Sequence, residues 1–162
     1  MRLKCICLLA IVTMLRPSDI APKAVMIDDL GNIHNFSFTY DQLHFYENGS
    51  MSIIIHGNKN DSKRHGFIVD VAPSSVENIC PVRTMKCYLD RTQKFWGEYG
   101  PVFMSLNNPY GALSSQAITN ILNESISLVG LPRNLYSAKS FRPSGATKAV
   151  VHRRRTHCNG GC

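Results

Sequence analysis

The first fifteen positions are dominated by an apolar run from Cys5 to Leu15 that follows a charged start, Met1-Arg-Leu-Lys. A segment this uniformly apolar predicts a short buried helix over residues 3–15. Pro17, Ser18 and Asp19 then mark its end and the start of a new helix. Residues 21–42 carry no clean period, and Asp28-Asp29-Leu30-Gly31-Asn32 reads as a turn or short insertion. Two strand-like runs follow, Leu43 to Tyr46 and Ser52 to Ile55, flanking Asn48-Gly49, a pair that predicts a β-hairpin. A polar loop from Gly57 to Gly66 leads into a third strand, Phe67 to Val71, which Pro73 stops. The three strands make a small antiparallel meander.

Helical spacing takes over in the second half. Pro81 suits the first turn of a helix running to about Lys94, with Val82, Met85 and Leu89 facing inward and Tyr88 at the border of that face. Trp96 to Pro101 reads as a loop and Val102-Phe103-Met104 as a short extended piece. Ser114 or Ser115 caps a helix from about Gln116 to Val129, with Ile118, Ile121, Leu122, Leu128 and Val129 on one face. Gly130 and Pro132 end it. Arg133 to Tyr136 connects to Tyr136-Ser-Ala-Lys-Ser-Phe-Arg-Pro-Ser-Gly-Ala-Thr147, where Pro143 fits the first turn of one more helix. Residues 152–162 lose all apolar periodicity and form a basic tail.

Length and composition suit one globular domain. The chain has 162 residues, 44% of them apolar and 18% charged, enough to build a core without disulfide staples. Its formal net charge of +7 permits a polyanionic partner but does not identify one. The six cysteines, Cys5, Cys7, Cys80, Cys87, Cys158 and Cys162, form no Cys-x-x-Cys pair and no zinc spacing. His157, Cys158 and Cys162 offer metal-binding atoms, but on a tail without structure, so no metal site is expected. No cofactor is expected either.

On local grounds the amino terminus supports two readings. The charged start and apolar run also describe a secretory signal, which would turn Asn35, Asn48, Asn60 and Asn123 into glycosylation sequons and the cysteines into three disulfides. Against it, the small-residue cleavage pattern is poor and the run is too short to span a bilayer.

The candidate chemistry is a set of cations. Lys139 and Arg142 stand three residues apart, so a helical turn would put both on one face. Arg offers a planar donor fork and Lys a compact charge, a combination suited to phosphate. Lys59, Lys63 and Arg64 sit on the second turn of the meander, a basic tip that could enter a nucleic-acid groove. Any one of these groups alone would read as solvated surface charge.

Their order is more specific. A helix ending in Leu15-Arg16-Pro17-Ser18-Asp19, a three-strand meander with Lys59 in its second turn, two helices and then Lys139-x-x-Arg142 resembles the catalytic domain of tyrosine recombinases. Gly57-Asn-Lys-Asn-Asp61, Cys80-Pro-Val82 and Tyr136 to Thr147 bring it closest to recombinases of DIRS-type retroelements. The resemblance covers residues 3–151 and implies an α+β fold, a mostly helical core with a small three-stranded antiparallel sheet. It implies catalytic roles for Arg16, Lys59, Lys139 and Arg142, with Lys139 standing where most members have histidine. In such enzymes a tyrosine hydroxyl attacks a DNA phosphate, giving a 3′-phosphotyrosyl link and a free 5′-hydroxyl, without ATP or metal. The arginines stabilise the charge that builds on the phosphate, and the hairpin lysine protonates the leaving oxygen.

The resemblance implies DNA as partner, with contacts from Arg16, Lys59, Lys63, Arg64, Lys139 and Arg142. It also implies self-association on DNA, nuclear localisation and no membrane span, and it resolves the amino terminus as a core helix. The departure lies after Arg142. The family nucleophile and a His or Trp position belong there, but the last tyrosine is Tyr136 and the residues beyond Val151 do not match. The expectation is therefore a chain truncated at both ends and inactive alone. The alternatives are a non-catalytic DNA-binding module or decayed mobile-element fragment, and a small secreted disulfide protein.

Overall fold

In the computed structural model the described residues are 1–21, 26–27, 33–34, 38–55, 66–92, 100–105 and 111–142. Helix α1 (Arg2–Thr13) is the centre of the core. Cys5, Ile6, Leu9 and Ala10 are all essentially inaccessible on it, as expected for a helix apolar on most sides. It packs between helices α3 (Pro81–Thr92) and α4 (Ser115–Leu128) and also touches the sheet. Met14 in the left-handed conformation ends α1, and the one-turn helix α2 (Pro17–Ile20) follows. None of the described helices is long and apolar enough to cross a membrane.

The residues after α2 hold a feature without a sequence signal. Two short strands, β1 (Met26–Ile27) and β2 (Ile33–His34), pair antiparallel with Ile27 opposite Ile33. Two residues per strand are too few to show an alternating pattern, which is why the segment has no period.

The meander has the expected order β3-β4-β5, with β3 (Leu43–Phe45), β4 (Met51–Ile55) and β5 (Phe67–Val71) all antiparallel. Central β4 buries Met51, Ile53 and Ile55 on the core side. Its other side is also covered at Ser52, whose hydroxyl bonds the Tyr46 hydroxyl at 3.0 Å. The hairpin loop has three residues, Glu47-Asn48-Gly49. The Gly49 N–H donates to Tyr46 O and the Tyr46 N–H to Ser50 O, while only Gly49 takes a positive φ, of 81°. This is a turn followed by a left-handed glycine, the three-residue solution to the same strand pairing.

The α3 face is as expected, with Val82, Met85, Tyr88 and Leu89 buried. Cys80 precedes it, and its sulfur accepts the Arg83 N–H at 3.5 Å. The Tyr88 ring meets Phe103, and Phe103 meets Phe38, so the extended piece at 102–104 lies against α3. Helix α4 starts at the expected place, with the Ser114 hydroxyl accepting the Ala117 N–H at 3.1 Å. Its inward face needs a correction at the far end. Ile118 and Leu122 are buried, but the next core residue is Ile126, and Leu128 and Val129 are each 70% exposed. The last turn of α4 runs past the edge of the core. There Gly130, at φ 75°, reverses the chain, and the Leu131 N–H returns to Ile126 O at 3.1 Å, the closing bond of a glycine-terminated helix.

The architecture is thus α+β, helices around α1 with the small sheet against them. Cys5, Cys7, Cys80 and Cys87 are free thiols, so a framework pairing all six cysteines is not present. Lys59, Lys63, Arg64, Pro143 and the tail at 152–162 lie outside the described residues.

Candidate phosphate-binding cleft

The chain turns sharply at the α1–α2 corner, and that turn fixes Arg16. The Thr13 hydroxyl donates to Leu9 O at 2.7 Å and accepts the Leu15 N–H at 3.3 Å, closing the end of α1. Leu15 and Ile20 are both buried and pin the corner from either side. Between them Arg16 has extended backbone and caps α2. Its N–H donates to the Asp19 carboxylate at 2.9 Å, and its carbonyl accepts the Asp19 N–H at 2.8 Å. Pro17 sits at the first helical position, where its missing N–H costs nothing. The backbone is held, and the guanidinium remains exposed.

The second cationic pair hangs on α4. After the exposed stretch 131–137, a 3-10 turn over Ala138–Ser140 begins, and the chain continues helically through 141–142. The Ser140 hydroxyl accepts the Ser137 N–H at 3.1 Å, while the Ser140 N–H donates to Ser137 O at 2.8 Å. Ala138 is buried, and its N–H donates to the Asn123 side-chain carbonyl of α4 at 2.8 Å. Lys139 and Arg142 project from this turn and are exposed.

These two pieces face one another. Leu15, Arg16, Pro17 and Ser18 from the corner, Ser115 and Thr119 from α4, and Ala138, Lys139 and Arg142 from the turn line a single cleft of about 530 Å³. Three cations of four expected catalytic residues therefore meet in one place, although Arg16 comes from the beginning of the chain and the other two from its far part. Lys59 lies outside the described residues. None of the three forms an ion pair with a described carboxylate; the ion pair among the described residues joins Arg83 to Glu77 on the surface at α3. Unpaired cations at a concave site attract an anion, and the first turn of α4 adds the positive end of a helix dipole.

The hydroxyls of Ser18, Ser115 and Thr119 were not anticipated as part of this site. Ser115 and Thr119 are one turn apart, and the Thr119 hydroxyl donates to Ser115 O at 2.8 Å. The signal was a polar i,i+4 pair bordering the Ile118 and Leu122 face, hidden because serine at a helix start is explained by capping alone. Tyr136 is partly exposed and is not among the residues lining the cleft.

Comparison with known proteins places this arrangement. No family model matches the chain. Over 119 residues it is 30% identical to an integrase/recombinase xerD homolog from Selenomonas ruminantium, an alignment covering 70% of this chain and 33% of that protein. The chain thus spans about one third of the length of that relative. Over most of its length the chain is thus similar to one segment of an integrase/recombinase.

Proposed function

We propose that the chain is the phosphate-gripping portion of a DNA breaking–rejoining domain, of the kind found in DIRS-type retroelements, acting on DNA in the nucleus. The observation that carries this reading is the convergence of Arg16, Lys139 and Arg142 on one cleft with no carboxylate among its lining residues. In the reaction a non-bridging phosphate oxygen gains charge, and guanidinium and ammonium groups already in position stabilise it without reorganising. Arg16 and Arg142 supply planar donor forks; Lys139 supplies a third donor where histidine is more usual. Lys59 would protonate the departing 5′ oxygen as general acid, with Lys63 and Arg64 adding contacts to the DNA backbone. Self-association on DNA belongs to the same reading.

No tyrosine is among the described residues lining the cleft. Tyr136 is the last tyrosine of the chain and lies outside the cleft. A second reading is that these 162 residues by themselves bind DNA and perform no chemistry. A nicked suicide duplex separates the two. The chain alone is expected to shift the duplex in a gel without forming a protein–DNA ester. A denaturation-resistant adduct would refute the non-catalytic reading, and absence of any DNA binding would refute both.

A further inference from the structure

Arg16 sits on backbone anchored by two buried residues and a carboxylate, whereas Lys139 and Arg142 sit on a short turn that Ala138 and Phe141 hold against the core. One attachment of that turn is a long-range side-chain bond: the Ala138 N–H donates to Asn123 Oδ1 at 2.8 Å, immediately before Lys139. Asn123 lies on α4 at i+4 from Thr119 and i+8 from Ser115, so the three form a polar stripe along one side of that helix. Two of them line the cleft, and the third holds its basic wall. We infer that Asn123 is a positioning residue: its side-chain carbonyl fixes the start of the Ala138–Ser140 turn and thereby sets where Lys139 and Arg142 meet a phosphate.

The physical case rests on what else restrains the turn. The Ser137–Ser140 pair of bonds is internal to the turn and can travel with it. Residues 131–137 are exposed and give it little packing support. The apolar anchors are the buried Ala138 and the partly buried Phe141, which hold the turn against the core. A directional bond from a partly buried amide to the helix supplies the orientation that apolar contact alone does not. Without it, Lys139 and Arg142 remain charged and remain on the surface, but their positions relative to Arg16 spread out.

This inference rests on the cleft gripping DNA phosphate, and the test separates the two. Affinity for a short DNA duplex is measured against salt concentration for the wild-type chain, Asn123→Ala, Lys139→Ala/Arg142→Ala and all three changes together, with circular dichroism as the folding control. Each phosphate the protein no longer neutralises lowers the slope of log affinity against log salt by about 1. Because Lys139 and Arg142 meet one phosphate, Asn123→Ala should lower it by at most about 1, and the two cation changes should then have little further effect. Arg16→Ala should still weaken the Asn123→Ala chain, which a general loss of folded structure would not allow. If Asn123→Ala fails to fold, Asn123→Gln, which moves the same amide by one methylene, should show a smaller loss with the same coupling. Cation substitutions that weaken binding while both Asn123 variants bind as wild type would overturn the inference alone. A wild-type chain with no salt-dependent DNA binding would overturn the underlying reading instead.

Discussion

The two walls of the cleft are built by different means. The Arg16 wall is a corner between two helices, with Leu15 and Ile20 buried beside it and Asp19 bonded to its backbone in both directions. The Lys139–Arg142 wall is a short turn approached through an exposed segment and attached to α4 through Asn123 and Ala138. One cation is thus fixed by local covalent geometry and the core, the other two by a tertiary hydrogen bond and the packing of Ala138 and Phe141. A site of this kind has one rigid reference point and one adjustable jaw, and the two should respond differently to perturbation.

The largest contrast should appear in stability. Ile20→Ala empties a buried site beside Arg16 and should cost about 2–5 kcal/mol. Leu135→Ala, on the exposed approach to the other wall, should change stability by no more than about 0.5 kcal/mol. Urea unfolding of both variants measures this; equal losses would mean that the approach segment is packed as tightly as the corner. Next comes binding: Arg16→Ala and Arg142→Ala should each weaken DNA binding and, because they share one phosphate, lower the salt slope by at most about 1, read by fluorescence anisotropy over a salt series.

A smaller effect is expected from Asp19→Ala, which removes the acceptor of the Arg16 N–H and should cost about 1 kcal/mol in thermal unfolding. The smallest concerns alkaline pH. Burial pushes the Cys5 thiol on α1 up from 9.0 to about 12 and the Tyr88 hydroxyl on α3 up from 10.0 to about 12. The folded chain keeps these protons where the unfolded chain releases them. Their stabilising contribution is therefore complete below about pH 9 and declines as pH rises toward 12. Cys5→Ala should flatten the lower part of that decline in pH-dependent urea titrations.

What the sequence disclosed follows the same division. The Arg16 corner is a local feature: an apolar run, a proline at the first helical position and an aspartate two residues later announce it. The meander and α3 were equally plain, because strand alternation, Asn48-Gly49 and Pro81 act within a few residues. The adjustable wall was readable as two cations three residues apart within the Tyr136 to Thr147 segment, but not how that segment is held. Its attachment to Asn123 crosses a loop and leaves no periodic trace. The same limit explains the assignment of Leu128 and Val129 to the core. Their spacing continues an apolar face, but Gly130 ends the helix beyond the edge of what it packs against. The β1–β2 pair was illegible because two-residue strands carry no pattern.

The central claim is that Arg16 and Arg142 act on one shared phosphate. A double-mutant cycle on DNA affinity at low salt tests it, using Arg16→Ala, Arg142→Ala and the double change. Groups sharing a partner should couple by about 0.5–3 kcal/mol, so that the double change costs clearly less than the sum of the single ones. Strict additivity would place the two arginines on separate phosphates and contradict the account.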